Sequence, residues 1–426
     1  MKKSLSLIAL FVGLSLMGNN KVNAEVNEFS EQVNGDIYGQ VRVVDDVDGD
    51  GSKDLVFGST DGKIHIYSSS GKEIFRPPYW PKQVNGPITA GVEVTDLDGN
   101  GNLNILASTM DGTLYCLNAK GKELWRYDTG GKILNTTPLV ADMNGTGKQD
   151  IILNSGSGRI VQLGSDGYEK LVVNMDNPVH ANPIAADTDG DGVKNIIVKD
   201  NAGKITVIGG AEWIASDQGC GDWPFNIDVS DIDGDGKPEV ISTDPQGDKG
   251  IFQMWDTEGN LLSKFPISDA AHGAPKIADI DGDGVDDFVI AQADGKVIVC
   301  DKNGKTKEGW PYELKDYGIY SAPSIIDIDG DGTPEIVYTA NNGSYSDEKA
   351  GCIVVLNKNG AVMEGYPRYI GKTVAPLTFA DLDGDGVLEI IAAGGIGYTG
   401  PQLHLIKTEI KRKFKIVTLR QQTKVK

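Results

Sequence analysis

The stretch that decides the fold is D-I-D-G-D-G-K-P-E, Asp231 to Glu239. It is one of eight copies, opened by Asp46, Asp96, Asp142, Asp187, Asp231, Asp279, Asp327 and Asp381, at intervals of 50, 46, 45, 44, 48, 48 and 54 residues. A period in this range marks one supersecondary unit copied along the chain, as in propellers and solenoids. Acids at positions 1, 3, 5 and 9 crowd their oxygens into one tight loop, and glycines at positions 4 and 6 permit the turn. Carboxylates this close repel one another unless a cation sits among them.

The candidate ligands follow position by position, position 7 offering its backbone carbonyl. They are Asp46, Asp48, Asp50, Ser52 and Asp54 in the first loop, and Asp96, Asp98, Asn100 and Asn102 in the second, with Asn104 at position 9. The third has Asp142, Asn144, Thr146, Lys148 and Asp150; the fourth has Asp187, Asp189, Asp191 and Val193, ending in Asn195. Asp231, Asp233, Asp235, Lys237 and Glu239 form the fifth, and Asp279, Asp281, Asp283, Val285 and Asp287 the sixth. The seventh is Asp327, Asp329, Asp331, Thr333 and Glu335; the eighth is Asp381, Asp383, Asp385, Val387 and Glu389. An oxygen-only set suits Ca2+ with six to eight ligands better than Mg2+, which keeps its waters and demands a tighter octahedron. The expectation is up to eight calcium ions, the second and third loops binding weakly and the second weakest, because fewer charges lower the affinity.

The first half of the loop is similar to an EF-hand, but position 12, where an EF-hand needs Glu, is Phe57, Ser242 or Ile290. The residues after position 8 are β-type runs instead: D-L-V-F-G, E-V-I-S-T, D-F-V-I-A and E-I-V-Y-T. A loop of this kind joining two strands, eight times in register, resembles the FG-GAP (VCBS) repeat of integrin-type β-propellers over nearly the whole chain. Each unit then continues through a Gly turn such as D-G at 61, 111 or 294 into a third strand, and through a further turn (S-S-G-K-E-I, A-K-G-K-E-L, K-N-G-K-T-K) into a fourth. The fold class is therefore all-β: an eight-bladed propeller with four-stranded antiparallel blades. The stretch D-G-T-L-Y-C-L-N-A-K-G-K-E-L-W-R-Y, residues 111–127, is similar to the repeat of quinoprotein-type propellers, also eight-bladed.

Residues 1–24 read as a cleaved signal peptide: Lys2 and Lys3, an apolar run from Leu5 to Met17, then V-N-A. Residues 25–35 read as a lead-in, 36–420 as the propeller, and 421–426 as a basic tail. The run K-F-K-I-V-T-L-R at 413–420 is expected to supply the outer strand of the last blade. The chain is thus expected to be secreted, periplasmic or at the cell surface, with no membrane span after the leader.

Formal net charge is −21, or about −24 without Lys2, Lys3 and Lys21; the loops hold 27 acids, and eight calcium ions would bring the mature charge to about −8. With no basic face in the body, nucleic acid is not an expected partner. Cys116, Cys220, Cys300 and Cys352 fall in different repeats, so buried free thiols are expected, the alternative being a Cys300–Cys352 bridge. Fourth strands are expected to end in an aromatic beside proline (Trp80, Trp223, Trp310, Tyr366); these recur with the blade period, which favours interblade packing over sugar stacking. His180, His272, Asn135 and Tyr320 share an offset before their loops, and are either unrelated turn residues or a polar cluster at one channel mouth.

No catalytic constellation assembles from the sequence. The FG-GAP resemblance implies a secreted, calcium-stabilised, non-catalytic binding or adhesion module for a carbohydrate or protein ligand. The alternatives are a polysaccharide lyase similar to the rhamnogalacturonan lyases, which also use a calcium-loop propeller, and a quinone-dependent dehydrogenase.

Overall fold

The computed structural model describes residues 28–47, 49–130, 136–215, 226–344, 347, 349–396 and 400–408. These form eight separate four-stranded sheets, every pairing antiparallel. Numbering blades I to VIII by their loops, blade II shows the plan. An inner strand, Glu93–Thr95, enters the acidic loop, and Asn104–Ser108 leaves it. Thr113–Asn118 and Glu123–Asp128 complete the sheet outward. The short inner strand and the long apolar second strand follow from sequence: N-I-L-A-S is buried at every residue because both faces meet neighbouring sheets.

The core is a ring of seams between blades. Val56, Ile64 and Ile66 of blade I pack with Ile105, Tyr115 and Leu117 of blade II. The last seam joins Ile391, Leu403 and Leu405 of blade VIII to Leu55, Phe57 and Tyr67 of blade I, which closes the circle. Eight seams of this kind account for the buried apolar surface.

The closing strand corrects one expectation. Phe29–Gln32, inside the segment read as a lead-in, is the outer strand of blade VIII and pairs with Gln402–Lys407 in the register Phe29↔Leu405 to Gln32↔Gln402. Glu28 reinforces the join, pairing with Arg368 at 2.8 Å and accepting from the Lys407 N–H at 2.9 Å. The edge assigned to 413–420 is therefore occupied, and that run lies outside the described residues. F-S-E-Q is polar and mostly exposed, so no apolar alternation marked it as a strand.

A second correction concerns the aromatic–proline pairs. In blades I, VI and VII the run after the last turn makes only a single bridge (Tyr67↔Glu73, Cys300↔Thr306, Leu356↔Val362). The outer strands are Lys82–Gln83, Tyr312–Glu313 and Arg368–Tyr369, which begin just after Trp80-Pro81, Trp310-Pro311 and Tyr366-Pro367. The pair opens the strand rather than ending it, the place where a residue without an N–H costs the ladder least. Trp80 (3 % exposed) and Trp310 (8 %) are interblade packing residues. Their indole N–H groups donate to Ala119 O and Lys358 O of the next blade, each at 3.3 Å. Tyr366 packs against the VII–VIII seam, and Trp223 lies outside the described residues.

Cys116, Cys300 and Cys352 are buried free thiols, each pushed up to about 12 by burial. Cys300 faces the V–VI seam and Cys352 the VI–VII seam, so no bridge joins them. Cys220 lies outside the described residues.

Candidate metal centre

All eight acidic loops join an inner strand to a second strand, so the repeated topology sets them side by side on one face of the ring. All eight share a first contact, and every loop but the third shares a second. The position 1 carboxylate accepts the N–H of the position 6 glycine, as in Gly101 to Asp96 (2.6 Å), Gly236 to Asp231 (3.1 Å) and Gly386 to Asp381 (2.8 Å). Such bonds hold Asp96, Asp142 and Asp187 below the usual carboxylate range. The glycines sit at positive φ, Gly234 at 79° and Gly236 at 94°, where a side chain would strain the loop. The position 9 side chain then reaches back to the position 2 N–H: Asp54 to Val47 (2.7 Å), Asn104 to Leu97 (3.2 Å), Glu239 to Ile232 (2.7 Å) and Glu389 to Leu382 (2.8 Å).

This winding gathers acids in five loops. Asp187, Asp189 and Asp191; Asp231, Asp233 and Glu239; Asp279, Asp281 and Asp287; Asp327, Asp329 and Glu335; and Asp381, Asp383 and Asp385 each bring one oxygen within 4.8 Å of the others. In the fourth loop the position 9 residue is Asn195, whose Oδ1 accepts the Thr188 N–H at 3.3 Å, yet three acids still converge. The second and third loops have two acids each, Asp96 with Asp98 and Asp142 with Asp150. In the first loop Asp48 lies outside the described residues, while Asp50 accepts from the Ser52 N–H at 2.8 Å. The position 7 N–H donates to position 5 in the same way in the other loops, as at Asn102, Lys148, Val193, Lys237, Val285, Thr333 and Val387.

The position 9 acids test whether a cation fits. Glu389 is fully buried, and its Oε1 has no hydrogen-bond partner. Burial, with Asp383, Asp381 and Asp385 adding repulsion, pushes it up to about 7; Glu335 is raised to about 7 for the same reasons. A buried carboxylate oxygen facing three acids asks for a positive charge. The oxygen-only donor set and its crowding fit a hard divalent cation such as Ca2+. A lysine already approaches three loops: in the eighth, Lys407 Nζ lies 3.3 Å from Asp383 Oδ2, leaving Glu389 Oε1 without a hydrogen bond, while in the third and sixth the lysine reaches the position 9 acid itself. Lys170 pairs with Asp150, whose other oxygen accepts from Gln162 Nε2 at 2.7 Å. Lys307 Nζ lies 2.7 Å from Asp281, 2.9 Å from Asp287 and 3.1 Å from Asp283.

The inner strands carry a belt invisible in the sequence. Arg42, Glu93, Leu139, Ile184, Asp228, Lys276, Ser324 and Thr378 occupy one register position around the ring. Arg42 pairs with Glu93 across blades I and II, and Lys276 with Asp228 at 2.7 Å across blades VI and V. Of the four residues sharing an offset, His272 and Tyr320 come together, ring centroids 5.4 Å apart. Asn226 links them onward, donating to His272 O (3.3 Å) and accepting from the Asn182 N–H (3.0 Å). His180 is half-buried nearby in sequence, and Asn135 lies outside the described residues.

One arrangement has the form of a Ser–His–acid triad. His65 Nε2 lies 3.2 Å from Ser59 Oγ, and Nδ1 lies 2.6 Å from Glu73 Oε1. Ser59 is fully buried and His65 is 1 % exposed, so no substrate reaches the hydroxyl. Burial works against charging His65, but hydrogen bonds to Asp61 and Glu73 raise it above its ordinary value, the opposite of a general base. The group fastens a turn in blade I.

Comparisons with known proteins agree with this architecture. An FG-GAP-like repeat model matches residues 46–107 and 279–338, and a lambda-carrageenase beta-propeller domain model matches 77–148. No curated protein matches the chain. Among solved structures, BamB from Moraxella catarrhalis is 15% identical, with 89% of this chain and 96% of that one covered and a TM-score of 0.55. The V. cholerae biofilm matrix protein Bap1 is 14% identical over 88% of each chain, TM-score 0.60. The quinohemoprotein alcohol dehydrogenase of Comamonas testosteroni is 12% identical over 89% and 76%, TM-score 0.57. At these identities the likeness is one of fold. The chain is an eight-bladed β-propeller carrying FG-GAP-like repeats.

Proposed function

We propose that this protein is an exported, calcium-stabilised propeller that binds an extracellular carbohydrate, with a protein ligand as the other outcome, and that it is not itself a catalyst. The observation that carries the calcium part is the buried Glu389 oxygen without a partner beside Asp381, Asp383 and Asp385. Calcium there would supply charge neutralisation and rigid hairpins; Asp381, Asp383, Asp385 and Glu389 would hold it. Extracellular calcium modules work with dissociation constants of about 10⁻⁴–10⁻³ M, within reach of loops with three or four acids. The leader-like residues 1–24 support export.

With one face given to metal loops, the ligand surface is assigned to the opposite face, around His272 and Tyr320 at the channel mouth. A carbohydrate ligand is supported by the match to a carrageenase propeller domain and by the fold shared with a biofilm matrix protein. The carrageenase match also favours a second reading, in which the propeller serves polysaccharide cleavage. The test is a glycan and matrix-protein binding screen, with and without chelator, followed by product analysis on each bound glycan. Retention without new products, lost together with thermal stability in chelator, is expected. Release of shortened or unsaturated sugars would replace binding by cleavage. Binding indifferent to chelator would sink the calcium role.

A further inference from the structure

In six of the blades the residue just after the third turn has a fixed place in the ladder. Its N–H bonds back to the third strand, as Ile74 to Ile66 O, Lys307 to Val299 O and Met363 to Val355 O. The pairings place Leu124, Lys170 and Leu262 at the same point in blades II, III and V. Four of these six positions are apolar: Ile74 and Met363 pack on their seams, while Leu124 and Leu262 are about half exposed. The two lysines, in blades III and VI, both turn their ammonium groups into their own blade's acidic loop. Both loops end in a buried Asp, Asp150 at 1 % and Asp287 at 0 % exposure, where loops five, seven and eight end in Glu. Lys307 alone touches three of the four acids of its loop.

We propose that the Lys307 and Lys170 side chains are built-in cations, holding the sixth and third loops shut without calcium and lowering calcium affinity at the sixth. This rests on the calcium reading above. A tethered ammonium loses little freedom on entering the loop, whereas a divalent ion must displace it and shed water before it binds. In the sixth loop the donors for calcium are complete, so ion and lysine compete. In the third, Asn144 and Thr146 leave two acids, and the lysine has the loop to itself. The third and sixth loops thus have their position 9 acid neutralised by their own blade's lysine, the eighth has Lys407 on Asp383 at 3.3 Å but not on Glu389, and the ring keeps anchored hairpins when calcium is withdrawn.

The test uses the full chain with Lys307→Met, a side chain already accommodated at the matching Met363, and Lys307→Arg as the charge-retaining control. Calcium is titrated calorimetrically, and melting is followed in excess chelator. Lys307→Met is expected to gain one calcium site, or to tighten one at least tenfold, and to melt lower than the native protein in chelator. Lys307→Arg should stay close to native in both. Lys170→Met should lower the chelated melting temperature and add no calcium site. A Lys307→Met calcium isotherm that overlays the native one, or an unmoved melt in chelator, overturns the proposal. If the native chain takes up no calcium at millimolar concentration, the calcium reading fails, and the melts in chelator alone decide the lysines' role.

Discussion

Lys199→Met would strand a carboxylate between two blades. Lys199 ends the second strand of blade IV and Asp244 lies on the second strand of blade V, their side chains 1 % and 0 % exposed. Nζ sits 2.5 Å from Asp244 Oδ1 and 3.5 Å from Thr243 O, and Ser242 Oγ donates to Asp244 Oδ2 at 2.8 Å. Removing one partner of a buried pair leaves the other charge desolvated, at about 3–5 kcal/mol. The Ser242 hydrogen bond survives in the variant and offsets about 1 kcal/mol of that, so a loss of about 2–4 kcal/mol is expected. Lys199→Met with Asp244→Leu removes both charges and fills the seam with apolar atoms, and should return to within about 1 kcal/mol of native. Urea titrations in saturating calcium keep the loops constant. Trp213 and Trp255, 6.1 Å apart in the same IV–V seam, report local opening by fluorescence. The reasoning is refuted if the single variant costs less than about 1 kcal/mol or the double variant is as weak as the single, since then the pair is not a desolvated unit.

Four other outcomes are expected. Calcium at 1,000 times its dissociation constant should stabilise the fold by about 4 kcal/mol per filled site; Glu389→Gln should remove or weaken one site by calorimetry and lower the melting temperature in calcium. Without calcium, Glu335 and Glu389 favour the protonated form in the fold, their folded values being about 7 against 4.5 unfolded. Their contribution is full below 4.5 and is lost as pH rises through 7, so the chelated protein should melt lower at pH 8 than at pH 6, and calcium should reverse the order. His404 works the other way: burial lowers it from 6.5 to about 4, so its contribution is present above 6.5 and fades as pH falls toward 4, and His404→Gln should blunt unfolding in that acid window. Deleting residues 28–32 uncovers the Gln402–Lys407 edge and removes the Phe29 ring from Gly71, so light scattering should show association and the melt should drop by several degrees.

The acidic loops were legible because everything that winds them lies within nine residues: alternating acids, two glycines at positive φ, and a position 9 side chain reaching back to position 2. The blade plan was legible for the same reason, since Gly turns and apolar runs are local. What covers those loops was not. Lys307 approaches Asp281 and Asp283 from more than twenty residues away, and nothing in K-T-K-E-G-W distinguishes it from a solvated lysine. The Arg42–Glu93 and Lys276–Asp228 pairs were equally hidden, because each spans two blades. The aromatic–proline pairs were seen but put at the wrong end of the outer strand, as the order of residues alone does not say where a ladder resumes.

Local chemistry in this chain therefore determined the repeat, the four-stranded unit and the acid sets that would hold cations. The tertiary structure decided which strand closes the ring, which charges are sealed between blades, and which loops already contain an ammonium group. The physical reason is that turns and loop ligands are set by backbone dihedrals and neighbours in sequence, whereas desolvation and charge pairing depend on residues that only ring closure brings together, such as Glu28 with Arg368.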